Sequence, residues 1–154
     1  METTDETAPQ LRLNSQLCFA IYSAANAFTR LYNKRLAKLG ITFQQYLVLL
    51  VLWGKNGTSM KELGEGLRLP SPALGPLLRR MENEGLISRH RDDSDKRVVL
   101  VWLTQKGEML RVRASSVPGD MALQIGLPIP VMMDTKERVT AVRERLEIAE
   151  QTGF

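Results

Sequence analysis

Apolar residues recur along this chain with two different periods, and the change of period marks its organisation. Leu17, Ile21, Ala24, Phe28 and Leu31 fall at helical spacing. They predict a long first helix, capped by Asn14 or Ser15 and stopped at Gly40. A second helix starts at Thr42, carries Tyr46, Leu49, Leu50 and Trp53, and ends at Gly54 and Gly57. Ser59-Met60-Lys61-Glu62 has the form of a capping box, in which the Ser and Glu side chains satisfy orphan backbone donors reciprocally. It opens a short helix with Met60, Leu63 and Leu67 inside. Ser71 then caps another helix, with Pro72 at the first helical position, where its missing N–H costs nothing. The stripe Leu74, Leu77, Leu78, Met81 follows the i, i+3, i+4, i+7 rule, and Gly85 ends the helix. Pro76 is expected to loosen its second turn.

The period then shortens to two. Leu86–Arg91 and Lys96–Leu103 read as strands, joined by a turn over Asp92–Asp95. Thr104 caps a helix reaching about Ser115. Pro118, Gly119, Gly126, Pro128 and Pro130 are expected to break the next stretch. Asp134-Thr135-Lys136-Glu137 opens a last helix, whose Val139, Val142, Leu146 and Ala149 make a heptad seam that wants a partner helix. Residues 59–103 therefore run helix, turn, helix, strand, basic turn, strand, which is the plan of a winged helix-turn-helix. The expected fold class is mainly α with a small β wing.

Composition narrows this without changing it. A chain of 154 residues, 44% hydrophobic and 25% charged, has enough core to fold without disulfides or metal. The longest apolar run, Tyr46–Trp53, is far shorter than the ~20 residues a bilayer span needs, so no membrane partner is expected. The acidic, polar start does not read as a signal peptide. One Cys and one His exclude a zinc finger, an intrachain disulfide framework and a paired-cysteine redox site. No metal and no cofactor are expected, and the expected compartment is the cytoplasm. There is no phosphate-binding glycine loop and no nucleophile elbow, so the chain does not read as an enzyme.

Charge points to a partner. The net charge is +4, and no Asp or Glu occurs between Leu11 and Lys61. A basic cluster follows: Arg68, Arg79, Arg80, Arg89, Arg91, Lys96 and Arg97. In a winged helix the second helix enters the major groove of double-stranded DNA. Its outward face here offers Ser71, Ala73, Gly75, Pro76, Arg79 and Arg80. The two arginines suit phosphates, while the small residues allow close approach and contact with a thymine methyl but few base-edge hydrogen bonds. Arg91, Lys96 and Arg97 on the wing can reach the flanking backbone or minor groove. Trp53 and Trp102 are expected in the core, and His90 is expected to face solvent.

The segment RHRDDSDKRVVLVWLTQKG, after PALGPLLRRMENEGLI, resembles the MarR-type regulators in its D-x-R wing (Asp95, Arg97) and its L-T-x-x-G (Leu103, Thr104, Gly107). The stretch QLCFAIY…LYNKRLAKLGITFQQYLVLLVLW is similar to the organic-hydroperoxide-sensing, OhrR-type branch in its one-cysteine form. The resemblance implies a homodimer with dimerisation helices at both ends. On that reading 1–11 is a disordered tail, 12–56 the N-terminal arm, 57–103 the winged helix-turn-helix, and 104–154 the C-terminal helices completing the dimer interface. It implies that Cys18 is the sensing cysteine, with Tyr22 one turn on and Tyr32 bonding the sulfur. The family's third tyrosine falls at Phe43, which has no hydroxyl. Ser71, Arg80 and Arg97 match the family, whereas Pro70, Ala73 and Gly75 replace polar positions of its recognition helix.

The chemistry of the residues fits that role. Peroxides are attacked by thiolate, and Cys18 falls near a helix start, where the dipole favours an anion. A lone cysteine is otherwise read as a small buried hydrophobe. Tyr32 is fourteen residues after Cys18, roughly 21 Å along one helix at ~1.5 Å per residue. A Tyr32 that touches the sulfur must come from a second subunit. With no other cysteine, an oxidised Cys18 has a low-molecular-weight thiol or over-oxidation as its outlets. The expected function is a repressor of a pseudo-palindromic operator, released when an organic hydroperoxide oxidises Cys18. A second reading is a MarR-type repressor released by a small aromatic ligand without cysteine oxidation.

Overall fold

The computed structural model describes residues 8–153, so residues 1–7 of the expected tail lie outside the described residues. Two compact units divide after Ser115.

In the first unit the long helix α1 spans Leu17–Leu36. Neither Asn14 nor Ser15 caps it, because Leu13–Ser15 is already wound into a 3-10 turn. The N-cap is Gln16, whose side chain turns back to donate to the carbonyls of Gln10 and Arg12. After α1 the chain tightens through Ala37–Leu39 and escapes at Gly40, where φ is 72° and a side chain would be strained. Helix α2, Phe43–Gly54, starts on Thr42 in a full capping box with Gln45. Its first turn is also pinned from α1, since the Phe43 N–H donates to Asn33 Oδ1 at 2.7 Å. Buried Tyr46, Val48, Leu49 and Leu52 make α2 the centre of the unit, packed against its neighbours in the fold.

The winged domain follows: β1 (Thr58–Ser59), α3 (Met60–Leu67), α4 (Ser71–Asn83), β2 (Ile87–Arg91), β3 (Val99–Leu103) and α5 (Gln105–Ala114). The strands form one antiparallel sheet in the order β1-β3-β2, with Thr58 opposite Val101 and Ile87 opposite Leu103. The two-residue β1 has no period to read, and it adds a third strand to the expected hairpin. The hairpin strands are also shorter than expected. Lys96–Val98 belongs to the loop, because side-chain bonds from Asp92 and Asp95 organise that segment instead of a ladder. The box Ser59/Glu62 forms as expected and opens α3.

Helix α4 begins one residue earlier than its sequence implies. Pro70 is the N-cap, its carbonyl accepting from Ala73 N and Leu74 N, so Ser71 is the first helical residue and not the cap. Pro72 moves to the second position, where it still forfeits no bond. Pro76 lies inside the helix, which runs unbroken through it. The stripe Leu74, Leu77, Leu78 and Met81 is buried as expected.

The L-T-x-x-G segment is a joint between α5 and the sheet. Thr104 Oγ1 accepts from Gly107 N and donates to the Gly85 carbonyl at 2.6 Å, while Thr104 N donates to the Leu86 carbonyl at 3.1 Å. Gly107 is there because nothing larger fits: a Cβ would sit 2.3 Å from the Leu86 carbonyl oxygen. Its own carbonyl accepts the Trp53 indole N–H at 3.1 Å, tying α2 to α5. Trp102, expected in the core, is 40% exposed. On its strand it points away from the buried Val101 side, and its ring covers Gly57, where a Cβ would stand 2.6 Å from the indole.

In the second unit, α6 spans Val117–Ile125 and α7 spans Ile129–Thr152. The expected break over Pro118 and Gly119 does not occur. Pro118 stands in the first turn of α6, where proline is harmless, and the break is confined to Gly126–Pro128. For the same reason α7 starts at Ile129, before the expected Asp134, with Pro130 in its first turn. Val139 and Leu146 of the heptad seam are exposed, as are Val131, Met133 and Ile148. Among the described residues no single helix is long and apolar enough to cross a membrane.

Candidate nucleic-acid interface and cysteine site

The outward side of α4 follows from its inward one. With Leu74, Leu77, Leu78 and Met81 facing the core, Ser71, Ala73, Pro76, Arg79 and Arg80 are exposed and Gly75 is half-buried. Among the described residues neither Arg79 nor Arg80 is paired with a carboxylate. Arg79 lies back along the helix, its Nη1 3.6 Å from where a Gly75 Cβ would be. The face is therefore small at its N-terminal end and cationic in its C-terminal half, a form suited to a backbone-bounded groove.

The wing carries the remaining cations, and each is held differently. Asp95 accepts from Arg97 three times, at Oδ1 from the backbone N–H and Nε at 3.1 Å each, and at Oδ2 from Nη2 at 3.2 Å. The Arg97 bonds hold the Asp95 carboxyl below its usual range. Arg97 itself is 91% exposed, so the pair is a mount for a projecting guanidinium rather than a buried lock. Arg91 Nη1 donates to the Lys96 carbonyl at 2.7 Å, and Lys96 Nζ pairs with Asp93 at 2.9 Å. Asp92 is consumed by the turn, accepting from Ser94 N and Asp95 N, and its carboxyl is lowered by the Ser94 hydroxyl first and these N–H groups next. His90 is exposed as expected, with Nε2 3.0 Å from Ser88 Oγ.

Two groups escaped sequence reasoning. Arg89, counted in the basic cluster, faces the protein: its Nε and Nη2 reach Glu82 Oε2 at 3.1 and 2.8 Å, and its N–H reaches Oε1 at 3.2 Å. Arg89 accordingly lowers the Glu82 carboxyl and clamps α4 to β2. Gln45, only 2% exposed, donates to Glu84 Oε2 at 2.6 Å and so joins α2 to the end of α4. Neither pairing has a sequence signature, because its members lie on different elements.

The four residues expected at a sensing site fall in two places within one chain. Cys18 is exposed on the second residue of α1, and Tyr22 is exposed one turn on. Tyr32 lies near the far end of α1, roughly 21 Å away along the helix. There it meets Phe43 at 4.5 Å and Tyr46 at 6.0 Å between ring centroids, with Phe28 at 6.4 Å. Burial raises the Tyr32 hydroxyl above its ordinary range, and burial followed by the neighbouring Tyr32 raises that of Tyr46. Phe43 thus fills an aromatic cluster where a hydroxyl would otherwise project.

Comparison with known proteins sets the chain among transcriptional regulators. Residues 30–111 match the family described as transcriptional regulator SarA/Rot. The chain is 40% identical to the organic hydroperoxide resistance transcriptional regulator of Bacillus subtilis, over 92% of this chain and 94% of that one. It is 41% identical to the HTH-type transcriptional regulator TtmR of Methylorubrum extorquens, over 95% of this chain and 74% of that one. Among solved structures, reduced AbfR bound to DNA aligns with a TM-score of 0.74 at 35% identity, covering 90% of this chain and 94% of that one.

Proposed function

The chain belongs to the MarR/SarA family of DNA-binding transcriptional regulators, and we propose that it is a homodimeric repressor switched by oxidation of Cys18. The observation that carries this reading is an exposed lone cysteine in the first turn of α1, in a chain 40% identical to an organic hydroperoxide resistance regulator. Ser71, Ala73 and Gly75 lie along the major groove, Arg79 and Arg80 take phosphates, and Arg91, Lys96 and Arg97 engage the flank of each half-site. Two copies then read a pseudo-palindrome with half-sites about one helical turn apart.

The switch is a two-electron step. The Cys18 thiolate attacks the terminal oxygen of an organic hydroperoxide, the O–O bond breaks, and the alkoxide leaves as alcohol after taking a proton. Sulfur is oxidised to sulfenic acid and the peroxide is reduced. A low-molecular-weight thiol can condense with the sulfenic acid, releasing water and leaving a mixed disulfide. The added bulk sits on the arm, and an interface of packed helices responds by repacking. Tyr32 reaches this sulfur from the second subunit, because its own Cys18 is too far away.

Fluorescence anisotropy on the DNA upstream of the protein's own gene, at fixed salt, tests the proposal. A stoichiometric organic hydroperoxide releases the wild type and leaves Cys18→Ser bound. Tight binding unmoved by hydroperoxide in the wild type refutes the thiol switch. A second reading is favoured by Phe43 packed on Tyr32: a small aromatic ligand displaces the protein from DNA, and it does so equally in Cys18→Ser.

A further inference from the structure

The first turn of α2 and the last turn of α4 are joined by a bond that no local rule requires. The described residues hold two full capping boxes, Thr42/Gln45 and Ser59/Glu62. At the third helical position either Gln or Glu caps equally well, since only an acceptor oxygen is needed. Glu62 serves at α3. At α2 the residue is Gln, and its carboxamide does two jobs: Oε1 accepts from Thr42 N at 2.9 Å, and Nε2 donates to Glu84 Oε2 at 2.6 Å. A glutamate here would cap α2 and confront Glu84 with a second carboxylate. Gln45 is 2% exposed while Glu84 is exposed, so the bond is half-buried at the surface end of the helix.

The remaining ties on α4 gather at the same end. Glu82 is clamped by Arg89, and the Glu84 carbonyl accepts from Lys106 Nζ at 2.8 Å. Toward the other end Ala73, Gly75 and Pro76 have no polar side-chain atom to tie, and among the described residues the Ser71 hydroxyl makes no hydrogen bond. The helix is thus tied by polar bonds where it leaves the groove, and toward the end that reads it only by the apolar packing of Leu74 and Leu77. Its thirteen residues span about 20 Å, so a tilt of about 5° at the fixed end moves the reading end by about 1.7 Å. Displacements of that size exceed the tolerance of about 0.5 Å for a well-formed contact set.

We infer that Gln45 and Glu84 are positioning residues for DNA recognition: their bond sets the tilt of α4 from the first turn of α2. Phe43 shares that turn with Gln45, so the aromatic cluster around Tyr32 and the recognition helix are referred to one short piece of backbone. The pair touches no DNA and acts only through the angle of α4.

The test uses the full-length protein, a duplex selected by the wild type from a randomised library, and a random-sequence duplex of equal length. Gln45→Glu binds the selected duplex about tenfold more weakly, as expected for loss of a hydrogen bond to a charged group. It binds the random duplex as the wild type does, and its circular dichroism is native. Glu84→Gln alone keeps a donor–acceptor pair and binds within about twofold of wild type, a change of no more than half a kcal/mol. Gln45→Glu combined with Glu84→Gln restores the selected-duplex affinity, with donor and acceptor exchanged. Glu84→Ala, an exposed truncation that leaves the α2 cap intact, lowers the ratio of selected to random affinity in the same direction. Selected-duplex affinity unchanged in Gln45→Glu and Glu84→Ala, equal loss on both duplexes, or failure of the double variant to recover overturns the inference.

Discussion

Gly107→Ala is the sharpest test of how the wing is joined to the rest of the domain. The added methyl would stand 2.3 Å from the Leu86 carbonyl oxygen and 3.1 Å from Leu103 Cδ2. Carbon–oxygen contacts below 3.0 Å essentially never occur, so the two backbones must part by at least about 0.7 Å. The obstacle is main chain, which no rotamer change can move aside. The displaced carbonyl is also the acceptor for Thr104 N, and the shifted Gly107 carbonyl is the acceptor for the Trp53 indole. Overpacking of this kind costs ~1–3 kcal/mol, and each hydrogen bond stretched adds ~1 kcal/mol at most. A loss of about 3 kcal/mol lowers Tm by about 6–12 °C in a domain of this size. Thermal unfolding followed by circular dichroism measures it, with Gly66→Ala as control. Gly66 is helical with nothing within 4 Å of its would-be Cβ, and alanine there raises stability by ~0.5–1 kcal/mol. A Gly107→Ala protein that melts with the wild type would refute the close-approach reading of the L-T-x-x-G motif.

Removing the Asp95 carboxylate takes a negative charge away from the wing proposed to meet phosphates, so electrostatics alone predicts tighter DNA binding. The mount seen at Arg97 predicts the opposite sign: Asp95→Ala weakens binding by roughly threefold and Arg97→Ala by roughly tenfold, both read by anisotropy at one salt concentration. Stronger binding by Asp95→Ala would dispose of the positioning role. At the start of α3, Glu62 is held at about 2 by Lys55 and by the Ser59 N–H and hydroxyl. Its folded value lies below its unfolded value of 4.5, so its contribution is complete above that pH and vanishes as pH falls through about 2. The Tm gap between wild type and Glu62→Gln therefore closes across this window, and a gap constant from pH 5 to 2 would contradict the assignment.

The order of elements was legible because each boundary has local chemistry. Thr42, Ser59 and Thr104 cap the helices they precede, and Gly40, Gly85 and Gly126 close the ones before them in left-handed conformation. The errors have local causes too. Proline was read as a breaker at Pro118 and Pro130, where it occupies a first turn and costs nothing. Ser71 was read as a cap because serine is the better capping residue, yet Pro70 already holds the extended conformation that the N-cap needs. Of the candidate site, the outward face of α4 followed from its inward stripe, whereas Asp95 and Arg97 were marked only by the resemblance and their pairing is seen in the structure.

What escaped the sequence is partner choice between elements. Arg89 and Arg97 are alike as letters in one basic run. One is spent on Glu82 in a half-buried pair and the other projects from the wing, and the difference lies in which carboxylate lies near each. The capping boxes make the same point with more consequence. T-x-x-Q and S-x-x-E are interchangeable as local signals, and both form capping boxes here, though only the Ser59/Glu62 box was expected from the sequence. Only the packing of α2 against α4 brings Glu84, thirty-nine residues on, to the amide of Gln45. There glutamine at α2 and glutamate at α3 cease to be synonyms. A residue chosen against its equal local alternative reports a constraint from elsewhere in the fold, and here that constraint is the angle at which the recognition helix leaves the domain.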